Sequence, residues 1–228
     1  MNIVKIIMTI CMFFLFSGQA KSELNVRDFD LTDFKLGMTP DEVEAIALRE
    51  GLNKNNERYL TIRGDHGNPF LISKTWVNRR TLGSYSFEFT RPPSEPQVKL
   101  IRREFVAQSV PAASIHEDLV SKYGEPTNLR EAGTGAFYVW YQGGDEISDR
   151  CLTAQPRTAG SKNCTGAQMR VTMTVRNGQS QKIGIMREAS LADYSLIMND
   201  QSDFDEYAES VLRRLEEERM EAAETPRL

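Results

Sequence analysis

The chain has 228 residues, a formal net charge of -4, 40% hydrophobic residues and three cysteines. This length and apolar content suit one large globular domain or two small ones. The mildly acidic balance and the lack of a basic patch with interleaved aromatic residues argue against nucleic-acid binding, because phosphate recognition needs a positive surface.

Residues 1–20 have the pattern of a secretory signal peptide. Lys5 provides the positive start, residues 6–16 form an apolar run too short to span a bilayer, and the sequence SGQA follows with the small residues of a cleavage site. We therefore expect export, with Lys21 as the first mature residue. The alternative is an uncleaved N-terminal anchor. No later segment is apolar for long enough to span a membrane, so the mature chain is expected to be soluble, and periplasmic or secreted.

Removal of the signal leaves two cysteines, Cys151 and Cys164, because Cys11 lies inside the signal. Lipidation of Cys11 is disfavoured, since four apolar residues follow it where a polar tether would be expected. The segment between the remaining pair is rich in small and polar residues and reads as an exposed loop. In an oxidising compartment the pair predicts a disulfide, worth about 3 kcal/mol on the loop-entropy view.

Residues 21–96 are predicted to form a first α+β unit that begins with an extended lead-in. Thr39 is the predicted cap of its helix, with Pro40 at the first helical position and Glu42 at the capping-box position. Short runs of apolar and polar residues then predict three strands, at 59–63, 69–77 and 84–89. The prolines of residues 91–96 cannot donate ladder hydrogen bonds, so this segment predicts a linker and the boundary of the unit.

Residues 97–200 are predicted to form a second α+β unit, whose first element, 98–106, is favoured as a strand over a short helix. Ser114 and Glu117 form a predicted capping box for a helix that Gly124 ends. A strand at 136–141 precedes the disulfide loop. The alternating segments 169–175 and 181–187 then predict a hairpin, with Asn-Gly and two further polar residues in its turn.

Residues 201–228 are predicted to be a C-terminal helix, capped by Ser202, and a charged tail. Because a helix followed by strands occurs twice and hairpins dominate, the predicted fold is α+β, with two units of helix on antiparallel sheet. A tandem duplication is one origin of this layout. The sequence leaves open whether the two units form one domain or two.

Two short motifs carry a family resemblance. Residues 36–43, LGMTPDEV, resemble the helix-opening motif Gly-Met-Thr-x-x-x-Val of small outer-membrane-assembly lipoproteins and β-lactamase-inhibitor-like domains. Residues 122–126, KYGEP, resemble the Leu-Gly-x-Pro ending of the helices in those domains. The resemblance implies helices packed on an antiparallel sheet in an exported bacterial protein that binds other proteins, and it implies no catalytic residues.

The two histidines do not predict a catalytic or metal site. His66 lies in a Gly, Asp, Asn and Pro context typical of a tight turn, and His116 lies in the first turn of the second predicted helix. The chain has no nucleophile elbow, phosphate-binding loop or dinucleotide fingerprint. We therefore predict no catalytic residue, no metal and no cofactor, although two well-placed carboxylates could still form a site without a motif.

Large aromatic residues on predicted strands suggest an interaction surface. Every second residue of a strand lies on the same face, so Tyr138 and Trp140 are expected on one face and Tyr141 on the other. With Trp76, these side chains are the predicted contacts to a partner protein if one sheet face is open. The alternative is that both faces are buried.

The sequence thus predicts an exported, soluble, non-catalytic protein-binding module of the bacterial periplasm or cell envelope. Its expected partner is another protein of that compartment. The alternative function is a periplasmic enzyme or enzyme inhibitor without a recognisable motif.

Overall fold

A computed structural model provides the structure of the protein. The signal segment, His66 and most of the loop between the two cysteines lie outside the residues that it describes. The described residues are 25–63, 67, 69–80, 83–106, 108–143, 151 and 164–224.

The first half of the fold contains a short 3-10 turn, one helix and four strands. Their order is the turn Val26–Asp28, helix α1 (Pro40–Arg49), and strands β1 (Asn53–Leu60), β2 (Phe70–Val77), β3 (Ser84–Phe89) and β4 (Val98–Glu104). The expected strand β4 is therefore confirmed, and the proline-rich segment before it is a loop as predicted.

Among its described residues, the second half has two helices longer than one turn and five strands. They are β5 (Val110–Pro111), α2 (Ala112–Tyr123), β6 (Asn128–Ala132), β7 (Gly135–Gln142), β8 (Ala167–Asn177), β9 (Lys182–Asp193) and α3 (Tyr194–Glu224). The predicted hairpin is confirmed as β8 and β9, joined by a polar four-residue loop at 178–181.

All nine strands form one antiparallel sheet, so the α+β class is confirmed. Its strand order is β1-β2-β3-β4-β9-β8-β7-β6, with β5 paired to β9 outside this path. Each half is a helix followed by a four-stranded meander, and the last strands of the two meanders, β4 and β9, pair antiparallel at the centre. The predicted boundary at residue 96 therefore lies within a hairpin of the first meander, because β4 pairs with β3.

The sheet carries a core on each face. Leu100 and Ile101 are neighbours on β4 and point to opposite faces. Ile101 belongs to the main core, which also holds the buried side chains of α1, α2 and the lead-in segment. Leu100 belongs to a smaller core beneath the start of α3, where Cys151 and Cys164 lie. We call these the helix face and the α3 face.

The start of α1 follows from local hydrogen bonding, as predicted. The Thr39 side chain accepts from the backbone N–H of Glu42, and the Glu42 carboxylate accepts from the backbone N–H of Thr39 at 2.8 Å. This is the complete capping box, which satisfies two donors that the first helical turn leaves free.

The starts of α2 and α3 differ from the sequence prediction. Helix α2 begins at Ala112, with Pro111 at the cap position and no side-chain cap, so the capping box of Ser114 and Glu117 is wrong. Strand β5 pairs with β9 and leads directly into the helix, which fixes the earlier start. Helix α3 begins at Tyr194 rather than after Ser202, and the carboxylate of Asp193 accepts from the N–H of Leu196 at 3.1 Å.

The disulfide prediction is supported by the positions of Cys151 and Cys164. Their Cα atoms are 5.6 Å apart and their sulfur atoms lie at bonding distance. Both side chains are buried in the smaller core. No helix among the described residues is both long enough and apolar enough to cross a membrane.

Candidate binding cleft

The four aromatic residues predicted to contact a partner are all buried. Trp76, Tyr138 and Trp140 lie in the main core, and Tyr141 lies in the smaller core; their exposures are between 1% and 8%. The predicted separation of Tyr138 and Trp140 from Tyr141 across the two faces is therefore right. The prediction that they form an exposed surface is wrong, because helices cover both sheet faces at these positions.

Trp140 and Tyr141 also form hydrogen bonds to backbone carbonyl groups inside the fold. Trp140 donates its indole N–H to the carbonyl oxygen of Gly124 at 2.9 Å. Tyr141 donates its hydroxyl to the carbonyl oxygen of Thr165 at 2.5 Å. His116, the histidine that the structure describes, packs its ring 5.8 Å from that of Tyr138 and is half-buried. Within the described ranges, no group of three or more His, Cys, Asp or Glu side chains could hold a metal ion.

A cleft opens on the helix face, between the lead-in segment and α2. Its volume is about 540 Å³. The sheet forms its floor, α2 forms one wall, and the turn that contains Thr32 forms the opposite wall. We name it the Arg103 cleft, after the guanidinium group inside it. Its apolar lining includes Leu31, Ile115, Leu119, Met169, Val171 and Met186.

Arg103 lies between two aromatic rings. Tyr85 is directly opposite it on β3, and Phe105 follows two residues later, just beyond the end of β4. The guanidinium carbon is 5.2 Å from the centre of the Tyr85 ring and 4.4 Å from that of Phe105. Cation–π contact of this kind stabilises the guanidinium.

A strained turn presents Thr32 to Arg103. Thr32 and Asp33 both have positive φ, 61° and 67°, and the turn closes with a hydrogen bond between the N–H of Leu31 and the carbonyl of Phe34. Left-handed backbone is costly for a β-branched residue. The Thr32 hydroxyl accepts from Arg103 at 2.7 Å and from the Tyr85 hydroxyl at 3.1 Å.

Lys122 and Tyr123 of α2 connect the cleft wall to the lead-in. Lys122 lies 2.8 Å from the carboxylate of Asp30, and Tyr123 donates to the Asp30 carbonyl at 2.7 Å. Burial acts to lower the pKa of Lys122, but its bonds to Asp30 and Tyr123 outweigh burial and hold that pKa above its usual range. Burial raises the pKa of Tyr123. Both groups therefore keep their protons near neutral pH.

The rim of the cleft combines exposed apolar and acidic side chains. Val106 and Val110 are 41% and 38% exposed. The exposed carboxylate of Asp118, on α2, also lies at the cleft. In contrast, the Arg103 guanidinium forms no salt bridge within the part of the chain that the structure describes. An unpaired cation in an apolar cleft is suited to hold an anionic group of a ligand.

A second concave surface lies on the α3 face, beneath α3, with a volume of about 690 Å³. A bulge in β4 places consecutive residues Lys99 and Leu100 on this face, because the register passes from Leu100 directly to Val98. The Asp200 side chain is 1% exposed and lies 2.5 Å from Lys99 and 2.9 Å from Arg91. Asp200 is the counter-ion of both cations, and the cluster fixes α3 to the sheet, so we assign it a structural role.

The Arg103 cleft was not predicted from the sequence. Its lining comes from the lead-in, β3, β4, β5, α2, β8 and β9, and its first and last residues, Leu31 and Ala189, are 158 positions apart in the chain. The alternation of Arg103 and Phe105 with charged neighbours was the available signal, but it does not reveal what lies opposite. Comparisons of this chain with protein-family models, with curated proteins and with solved structures found no match.

Proposed function

We propose that this protein is an exported, non-catalytic binding module of the bacterial periplasm or cell envelope, which holds a segment of another protein in the Arg103 cleft. One observation carries the proposal: an open apolar cleft with exposed valines at its rim surrounds a guanidinium that has no salt-bridge partner in the described residues. Apolar anchors in such a cleft, with one charged group for orientation, are typical of protein recognition.

Export is supported by two separate features of the chain. Residues 1–20 have the composition of a secretory signal, and the Cys151–Cys164 pair is of a kind that persists in oxidising compartments. Cell fractionation followed by intact mass measurement tests this part of the proposal. We expect a periplasmic or secreted protein that begins at Lys21; a cytoplasmic full-length chain would contradict it.

Binding through the cleft is tested with a matched pair of substitutions. Val106→Glu places a charge at the apolar rim, whereas Leu48→Glu makes the same kind of change at a residue of α1 that is 63% exposed and does not line the cleft. We expect a photo-crosslinker at position 106 to capture a partner in intact cells, and the one at position 48 not to. The complex should be lost in Val106→Glu and retained in Leu48→Glu.

The alternative function, an enzyme or enzyme inhibitor, predicts different results. Incubation of the purified protein with peptidoglycan, peptides and envelope enzymes tests for turnover or inhibition. Turnover that Val106→Glu abolishes and Leu48→Glu leaves intact would refute the non-catalytic proposal. Equal crosslinking of both positions would refute the cleft as the binding site.

We also propose that the two halves arose by tandem duplication. The same order of one helix and four meandering strands occurs in 40–104 and in 112–193, and the halves meet through their last strands. An experimental structure in which α1 to β4 superpose on α2 and β6 to β9, strand for strand, would support a common origin. If the two halves have the same number of strands but different angles between strands and helix, the structure would argue against a common origin.

A further inference from the structure

We propose that the Arg103 cleft recognises the C-terminal carboxylate of a partner chain whose last side chain is apolar. This inference rests on the proposed function and names the chemical group that the cleft binds. The observations that support it are a guanidinium without a salt-bridge partner in the described residues, an adjacent hydroxyl, and the apolar side chains beside them.

The Arg103 guanidinium retains donors for a carboxylate. One nitrogen, Nη1, donates to Thr32 at 2.7 Å, and the guanidinium also lies over the rings of Tyr85 and Phe105. Arginine has five N–H donors in one plane, and two of them match the two oxygens of a carboxylate. No described carboxylate occupies them, since Arg103 forms no salt bridge there.

Thr32 adds a second donor at the same point. Its oxygen accepts hydrogen bonds from Arg103 and from Tyr85, so its own hydroxyl proton is available to a ligand oxygen. The turn holds Thr32 in left-handed backbone, a strained conformation that in proteins is concentrated at functional sites. Guanidinium and hydroxyl together provide three donors to one carboxylate.

The wall beside these donors selects an apolar side chain. Val106 and Val110, which are 41% and 38% exposed, form the accessible apolar part of this wall, beside the buried side chains of Ile115 and Leu119. A terminal residue that places its carboxylate on Arg103 would direct its side chain along this wall. Leu, Ile, Val, Phe and Met match the wall, whereas a charged side chain would lose hydration without a partner.

The acidic rim distinguishes a chain terminus from other carboxylates. Asp118 disfavours a ligand that carries several acidic groups. Its carboxylate is also a hydrogen-bond acceptor, and a peptide supplies backbone N–H donors next to its terminal carboxylate. A simple apolar acid has the carboxylate but lacks those donors, so the peptide terminus fits the cleft better.

Two peptide pools test the inference on the unchanged protein. Both contain octapeptides with random residues at the first seven positions and Leu, Ile, Val, Phe or Met at the last; one pool has free C-termini and the other has C-terminal amides. Binding is measured by fluorescence anisotropy with selected members of each pool. We expect each free acid to bind at least about tenfold more tightly than its amide.

Substitution of Arg103 should remove this preference. In Arg103→Gln, acid and amide should bind within about twofold of each other, because the charge and the bidentate geometry are lost. The matched control is Arg102→Gln, which changes the neighbouring residue on the opposite face of β4 and should keep the preference. Circular dichroism verifies folding, and the acid–amide comparison decides the question even if Arg103→Gln fails to fold.

The possible results separate the inference from the proposed function. Equal binding of acids and amides, abolished by Val106→Glu, would overturn carboxylate recognition and leave the cleft as a binding site. If no peptide binds, the partner crosslinked at position 106 is tested with several residues added to its C-terminus. Binding of this extended partner would overturn the inference, and loss of its binding would support the inference. Absence of both peptide and partner overturns both proposals.

Discussion

The contact between α3 and the sheet predicts a large effect of changing Asp200. Its carboxylate is 1% exposed and lies between Arg91 and Lys99, whose side chains are 17% and 12% exposed. The same carboxylate also accepts from the backbone N–H of Arg91. Asp200→Ala removes the counter-charge of two largely buried cations and leaves a buried N–H without an acceptor.

The expected loss follows from the cost of an uncompensated buried charge. Removal of one partner from a buried ion pair typically costs about 3–5 kcal/mol. Because Arg91 and Lys99 keep some contact with water, we expect the lower end, about 3 kcal/mol, in the free energy of unfolding. With an m-value of about 2 kcal/mol per molar urea, the unfolding midpoint should fall by about 1.5 M.

Urea unfolding followed by far-UV circular dichroism measures this loss. The matched control is Asp205→Ala, on the same helix, because Asp205 is exposed and its carboxylate accepts from the side chain of Gln201. That change should alter the free energy of unfolding by less than about 0.5 kcal/mol. A loss below about 1 kcal/mol in Asp200→Ala would refute the argument that this ion cluster anchors α3.

Three further predictions concern stability. Reduction of Cys151–Cys164, which are 13 residues apart, should lower the free energy of unfolding by about 3 kcal/mol in urea titrations, and intact mass after alkylation of the untreated protein should show no free thiol. Thr39→Ala should cost about 1 kcal/mol in the same assay, and Thr39→Ser should restore most of it, because a hydroxyl again caps α1. Burial raises the pKa of Tyr194, so its contribution to stability is complete below the unfolded-state pKa of about 10 and is lost as the pH rises above it. Unfolding midpoints between about pH 8 and pH 11 should therefore fall less steeply in Tyr194→Phe, and an unchanged slope would contradict this assignment.

Elements with a local cause were predictable. Helix α1 starts where Thr39 and Glu42 complete a capping box, and β3 follows from the alternation of Tyr85, Phe87 and Phe89 with polar residues. The disulfide was predictable because processing of the signal would leave only two cysteines. Each of these features depends on residues that are close in sequence or on a count of residue types.

Elements whose cause lies elsewhere in the fold were missed. Strand β1 begins at Asn53, in a polar run that has no strand pattern, because the backbone of β2 pairs with it at the edge of the sheet. Helix α2 begins early because β5 pairs with β9, and α3 begins at Tyr194, where the pairing of β9 with β8 ends at Asp193. Pairing with a distant strand overrides local propensity in such segments.

The sequence by itself determined the α+β class, the first helix, the strands that alternate and the pairing of Cys151 with Cys164. Local hydrogen bonds and the period of the side chains contain that information. The tertiary structure decided which surfaces are open. The aromatic residues that were predicted to contact a partner are buried, because helices cover both faces of the sheet. The cleft around Arg103 forms where Thr32, Tyr85 and α2 come together. Exposure depends on what packs against a residue, and that partner is set by the whole fold rather than by its neighbours in the chain.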